Sequence, residues 1–161
     1  MTQISNEGIE LIQTLEGLKL EACLNLFGEL AIGYGHTESV AVGDTITQEE
    51  AEKTLSSDLA PIEDFINDEV TAELNQNQFD SLVSLVFNIG SPSFLASSLL
   101  ENINSGASME AIQASFLELA EGENITALKE RRLTEASYYG KPIKPNLGGG
   151  AAPMPPFKKK K

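Results

Sequence analysis

The chain has 161 residues, 41 % of them hydrophobic, which is enough for one domain with a buried core and too few for two domains of ordinary size. A single cysteine excludes an intramolecular disulfide and a zinc site built from cysteines, and no apolar run approaches the roughly 20 residues that a membrane-spanning helix needs. All 24 carboxylates lie in residues 1–140, where only five Lys and Arg oppose them, a formal charge of −19 that argues against nucleic-acid binding.

Hydrophobic periodicity, caps and glycines predict a mostly helical chain with one small hairpin. Apolar residues at helical spacing and polar caps define the helices, and closely spaced glycines define the hairpin. The predicted elements, in chain order, are a helix over 6–15 capped by Ser5 or Asn6 and ended by Glu16-Gly17, a hairpin over 18–36 turning near Gly28, a helix from the Thr47/Glu50 capping box to about Leu59, a short helix over 61–70 after Pro61, a central buried helix over 75–90, and amphipathic helices over 94–104, 108–120 and 126–138.

Several strings in this order resemble the bacteriophage lysozyme family, glycoside hydrolases of the endolysin type (glycoside hydrolase 24-like), over about residues 4–139. They are EG-x-x-L at 16–20, G-x-x-x-I-G-Y-G-H-T at 28–37, G-x-x-I-T-x-x-x-A-x-x-x-L at 43–55, NQNQFDSLVSLVFNIG at 75–90 and ALKERRLTEASYYG at 127–140. The resemblance implies an α+β, mostly helical fold, in which a small β-hairpin subdomain and a helical lobe enclose a peptidoglycan cleft. It also implies descent from enzymes that hydrolyse the β-1,4 bond between N-acetylmuramic acid and N-acetylglucosamine.

The family's catalytic pattern maps onto Glu16, Asn25 and Ala31. Glycoside hydrolysis generally uses one carboxylic acid to protonate the leaving oxygen and one carboxylate to activate water or stabilise the developing cation. Glu16 matches the family's acid, whereas Asn25 stands in place of its Asp and Ala31 in place of its Thr. An amide can neither accept a proton at neutral pH nor carry negative charge, and alanine has no hydroxyl to orient a water molecule. The resemblance therefore implies an altered catalytic site.

Three other side chains near the hairpin could replace the missing groups. Glu29 and Glu21 each could place a carboxylate near the cleft, although an exposed glutamate on the hairpin of an acidic protein is the simpler interpretation. Cys23 lies two residues before the Asp position, out of register with it, and is expected to be a buried, inert thiol.

The remaining candidate residues are expected to be structural. The resemblance implies that His36 holds the hairpin against the helical lobe, and that Arg131 and Arg132 pair with carboxylates such as Glu135 or one near Glu16. One histidine without a cysteine partner makes no metal site, and no cofactor is expected. Tyr34 could offer an aromatic platform to a sugar, whereas three phenylalanines are expected in the core: Phe79, Phe87 and Phe116.

Two functions are compatible with these observations. The sequence favours a lysozyme-fold protein with weak or lost muramidase activity and a structural or adaptor role in a phage particle, because Asn25, Ala31 and the acidic body all depart from an efficient wall hydrolase. The alternative is an active muramidase that degrades host peptidoglycan as a phage enters or lyses its host. With no signal peptide in the N-terminal sequence, we expect synthesis in the host cytoplasm, followed by incorporation into the virion or release to the envelope.

The last 21 residues differ from the rest of the chain. Residues 141–161 contain five of the seven prolines, and are expected to form a flexible tail beside a lysozyme-like domain at 1–140. The tail could contact other phage structural proteins through its six lysines: Lys141, Lys144, Lys158, Lys159, Lys160 and Lys161.

Overall fold

The computed structural model describes residues 1–122 and 124–143. Its elements are α1 (Asn6–Glu16), β1 (Lys19–Leu24), β2 (Leu30–Gly33), α2 (Gln48–Glu69), α3 (Gln76–Ile89), α4 (Ser91–Leu95), α5 (Ser98–Asn104), α6 (Met109–Glu118) and α7 (Ile125–Tyr139). The predicted α+β, mostly helical fold with a small hairpin is confirmed. None of the helices in the described ranges is long and apolar enough to cross a membrane.

The first helix ends where the hairpin begins. Ser5 is its cap, because the side chain accepts a hydrogen bond from the Gly8 N–H, and Gly17 ends it with a φ of 71° that favours glycine. Strands β1 and β2 then pair antiparallel, with Cys23 opposite Ala31, around a turn in which Gly28 has a φ of 78°. The hairpin and its turn are therefore present as predicted. Strand β1, which begins shortly after Glu16, lies beside β2.

Helix α2 corrects one prediction. It is a single helix through Pro61, where the sequence pattern predicted two helices, over 47–59 and 61–70. Proline lacks the N–H of an interior helical bond, so a break is the ordinary expectation. Here Pro61 is exposed, while the apolar stripe continues on the opposite face through buried Leu59 and Ile66. Burial of that stripe holds the helix together across the proline.

Helix α3 is the central helix, as predicted. An Asn75 capping box begins it, and Gly90 ends it. It packs against α1, α2, α4 and α7. Its buried apolar residues are almost fully inaccessible: Phe79, Leu82, Val83, Leu85 and Val86. Phe79 and Phe116 belong to the core as expected, but Phe87 is only partly buried, because it lies where α3 leaves the core and meets the surface.

The predicted helix over 94–104 is two helices. The Ser97 side chain accepts a hydrogen bond from the Leu100 N–H and begins α5, so the chain turns between α4 and α5 instead of continuing. Helices α6 and α7 are present as predicted, within one or two residues of the expected ends. Most of the predicted tail, with Lys144 and Lys158 to Lys161, lies outside the described residues.

Candidate functional site

A cleft of about 780 Å³ separates the hairpin from the helical part of the protein. Its walls come from the end of α1, the hairpin, the end of α3 and one side of α7. All three residues mapped from the family pattern line it: Glu16, Asn25 and Ala31. A second cavity of about 630 Å³ continues the cleft and shares four lining residues with it: Phe27, Glu29, Asn88 and Leu128.

Glu16 is the last residue of α1, and its carboxyl group is held from two sides. Arg131 Nη1 donates to Glu16 Oε1 at 2.5 Å, and the Glu16 side chain is 17 % exposed. On the other side lies Gly35, with a φ of 82°, where an added Cβ would stand 2.8 Å from Glu16 Oε2. Glycine at position 35 therefore leaves room for the carboxyl group, and the guanidinium fixes its orientation.

Arg131 is in turn anchored from behind by a buried carboxylate. Its Nε donates to Glu135 Oε1 at 3.0 Å, and Ser84 Oγ donates to the same oxygen at 2.7 Å. Burial raises the pKa of Glu135, while the neighbouring arginines Arg132 and Arg131 oppose the shift. Burial likewise lowers the pKa of Arg132 to about 10. The resemblance implied that the two arginines pair with Glu135 or with a carboxylate near Glu16. Both arginines contact Glu135, and Arg131 also pairs with Glu16 itself.

Asn25 organises the turn of the hairpin. Its Oδ1 accepts from the backbone N–H groups of Phe27 and Glu29, at 2.9 and 3.0 Å, and its Nδ2 donates to Glu29 Oε2 at 3.3 Å. The side-chain oxygen of Asn25 therefore binds the backbone of the turn, and its side-chain nitrogen binds the Glu29 carboxylate. Ala31, 5 % exposed, lies further along on β2 with only a methyl group towards the cleft.

Three side chains near the cleft differ from their sequence-based interpretation. Cys23 is exposed and lines the cleft, where a buried thiol was expected, because the two-stranded hairpin has no second layer to cover that face of β1. Tyr34, which the sequence offered as a possible sugar platform, is 7 % exposed and belongs to the core. Phe87, expected in the core, packs against the core and also lines the cleft.

The structure also adds cleft residues that the sequence pattern did not single out. Leu26 and Phe27, at the tip of the hairpin, are 59 % and 57 % exposed. Asn124 Nδ2 donates to the Leu26 carbonyl at 2.7 Å, which ties the tip to the start of α7. Two consecutive apolar residues directly before the turn glycine, Gly28, were the available sequence signal. Such residues have no core to enter and face a ligand or solvent.

His36 connects the hairpin to α2. Its Nδ1 lies 2.8 Å from Asp58 Oδ2, and both side chains are about one quarter exposed. This contact joins the hairpin to the helical part, the role that the resemblance implied. Within residues 1–122 and 124–143, no group of three or more His, Cys, Asp or Glu side chains is placed to hold a metal ion.

Comparisons with known proteins agree on one family. The family model described as Phage lysozyme matches residues 13–135. The chain is 44 % identical over 141 residues to an endolysin of Acyrthosiphon pisum secondary endosymbiont phage 1, covering 84 % of this chain and 97 % of that protein. It is 39 % identical over 144 residues to the endolysin of Salmonella phage P22, covering 86 % and 99 %. Among solved structures, the muramidase domain of SpmX from Asticaccaulis excentricus superposes with a TM-score of 0.80 at 38 % identity, over 88 % of this chain and all of that one.

Proposed function

Because the chain belongs to the phage lysozyme family, we propose that it is an endolysin-type muramidase that hydrolyses the glycan strands of bacterial peptidoglycan. In this proposal Glu16 is the general acid, which gives its proton to the leaving oxygen of the scissile bond. Peptidoglycan is the substrate class that the family implies. The cleft beside the hairpin is where a glycan strand would lie.

The observation that carries the proposal is the way Glu16 is held. Its carboxyl group stands at the wall of the cleft, fixed by Arg131 and accommodated by Gly35. Arg131 is itself bonded to the buried Glu135. A catalytic group held by neighbours that are themselves locked loses little orientational freedom when the substrate binds, which favours catalysis. A solvated glutamate at a helix end would need none of these contacts.

The hydrolytic alternative is better supported than the structural role that the sequence favours. The relatives at 44 % and 39 % identity are named endolysins. Asn25 and Ala31 remain the argument for weak or lost activity, and a role in the virion stays a prediction. So does the docking of the basic tail to a phage protein, since its lysines other than Lys141 lie outside the described residues. We infer synthesis in the host cytoplasm and action at the cell wall.

The direct test is the release of reducing ends from purified peptidoglycan. We expect measurable hydrolysis by the full-length protein, and a decrease of about 10²–10⁴-fold in Glu16→Gln, the range in which a positioned general acid contributes. Glu10→Gln is the matched control, because Glu10 is an exposed acid of the same helix. The melting temperature of each variant verifies that it folds.

Assays over a range of ionic strength are needed, since the acidic body is repelled by an anionic wall at low salt. A protein that sediments with peptidoglycan but releases no reducing ends at any ionic strength would refute hydrolysis and favour the structural role. Equal activity in wild type and Glu16→Gln would refute the assignment of the acid.

A further inference from the structure

The proposed hydrolysis needs a second carboxylate, so the identity of that carboxylate is an inference that rests on the proposed function. Glycoside hydrolases usually place two carboxyl groups on either side of the scissile bond. Glu16 supplies one, but Asn25 and Ala31 carry no acidic group. Among the residues that the structure describes, two carboxylates besides Glu16 line the first cavity: Glu29 and Glu130.

Glu29 is held directly beside Asn25. The Asn25 N–H donates to the Glu29 carbonyl at 2.8 Å, and Asn25 Oδ1 accepts from the Glu29 N–H at 3.0 Å. With the backbone fixed in this way, Asn25 Nδ2 also donates to Glu29 Oε2 at 3.3 Å. The Glu29 carboxylate is therefore hydrogen-bonded directly to the side-chain amide of Asn25.

The position of Glu29 along the cleft favours it over Glu130. Glu29 lines both cavities and so lies where they meet, whereas Glu130 lines only the first. Glu29 belongs to the hairpin, whereas Glu16 is anchored to α7 through Arg131. Glu130 is on α7 itself, next to that anchor. A glycan strand between hairpin and helices would thus have Glu16 and Glu29 on different walls.

We propose that Glu29 is the second catalytic carboxylate of this protein, and that Asn25 is a positioning residue that holds it. In the step, a water oxygen forms a bond to the anomeric carbon while the bond from that carbon to the glycosidic oxygen breaks. The Glu16 carboxyl proton goes to the leaving oxygen, and the Glu29 carboxylate takes a proton from the attacking water. The products are two shorter glycans, one with a new reducing end.

The test compares three glutamine variants with wild type on purified peptidoglycan. Glu29→Gln keeps an oxygen acceptor for Asn25 but cannot take a proton, so we expect kcat to fall about 10²-fold or more while KM changes little. Glu21→Gln removes a hairpin carboxylate outside the lining of either cavity and should retain wild-type activity. Glu130→Gln tests the competing carboxylate.

A second substitution separates lost chemistry from a disturbed hairpin. Adding Asn25→Asp to Glu29→Gln returns a carboxylate to the neighbouring position, and we expect at least tenfold recovery of kcat. No recovery, or a loss in Glu130→Gln in place of Glu29→Gln, would overturn the assignment.

The outcomes also distinguish the two proposals. If wild type hydrolyses, Glu16→Gln does not, and Glu29→Gln does, then the muramidase stands and the role of Glu29 is refuted. If wild type releases no reducing ends at any ionic strength, both proposals are refuted.

Discussion

At the scale of single residues, the site depends on where a few polar side chains find partners. Glu16 is oriented by Arg131, and Arg131 by Glu135, whose charge is buried among the two arginines. Removing one member of such a buried network leaves the others without partners, which costs several kcal/mol. The network therefore holds Glu16 in position. Even a conservative substitution of Arg131 or Glu135 is expected to displace the Glu16 carboxyl group.

Cys23 offers a residue-level test of which face of β1 meets the substrate. It is the single cysteine of the chain, it is exposed, and it lines the cleft opposite Ala31. We expect a bulky maleimide on Cys23 to decrease hydrolysis of peptidoglycan at least tenfold, because the adduct occupies the space of the glycan. The melting temperature should change little, since the thiol is not part of the core.

The matched sample is Cys23→Ser treated with the same reagent, which should be insensitive to it. Full activity of the completely labelled wild type, verified by mass spectrometry, would show that substrate does not pass over this face.

At the scale of elements, capping and burial decide where helices begin and whether they continue. The Thr47/Glu50 capping box begins α2, because the Thr47 hydroxyl accepts from the Glu50 N–H while the Glu50 carboxylate accepts from the Thr47 N–H at 2.8 Å. The same helix then continues through Pro61, since its apolar stripe stays buried on both sides. The long helix that results positions Asp58 to contact His36. It also positions Ala51 to pack against Gly33.

The capping box predicts a pH-dependent contribution to stability. Hydrogen bonds from Thr47 lower the pKa of Glu50 from 4.5. A carboxyl group whose pKa is lower in the folded state stabilises the fold above its unfolded value, and this contribution is lost as the pH falls through the folded value. We therefore expect wild type to melt above Glu50→Ala at pH 7, and the difference to shrink below about pH 4.5.

Glu49→Ala is the control for this comparison. Glu49 is also exposed in the first turn, but within the described part of the chain it pairs with the exposed Lys53 and accepts no capping hydrogen bond. Glu49→Ala should therefore change the melting temperature less than Glu50→Ala does. Equal and pH-independent effects of the two substitutions would contradict the role of the capping box.

At the scale of the whole molecule, the cleft exists because the hairpin stands apart from the helices and contacts them at separate places. His36 contacts Asp58, β2 packs on α2 where Gly33 meets Ala51, and the hairpin tip accepts a hydrogen bond from Asn124. The cleft between these contacts is open to solvent. Around it, residues 1–140 carry a formal charge of −19.

This charge predicts an unusual salt dependence. Long-range repulsion from an anionic wall weakens as the Debye length falls from about 30 Å at 0.01 M salt to about 10 Å at 0.1 M. We expect the rate on whole peptidoglycan to rise several-fold over this range. The control is a short glycan fragment whose N-acetylmuramic acid carboxyl groups are amidated, because long-range repulsion cannot affect the binding of an uncharged fragment and its hydrolysis should change little. The same dependence on both substrates would place the effect in the cleft and not in the net charge.

The sequence alone was sufficient for the local features of this protein. Caps such as Ser5 and Thr47, and the apolar period of α3, depend on residues within a few positions of each other, so the starts of α1, α2 and the central helix α3 were predicted to within a residue. The five strings between residues 16 and 140, taken in their order, were sufficient for the family. The domain boundary at residue 140 stays a proposal.

Only the tertiary structure decided what surrounds Glu16 and which faces are covered. Arg131 is 115 positions away from Glu16, and no local pattern states which carboxylate an arginine will reach. The exposure of Cys23, the continuity of α2 at Pro61 and the place of Glu29 where two cavities meet all depend on what packs opposite them. Local propensity determines how a segment folds, whereas burial and cleft position depend on distant segments.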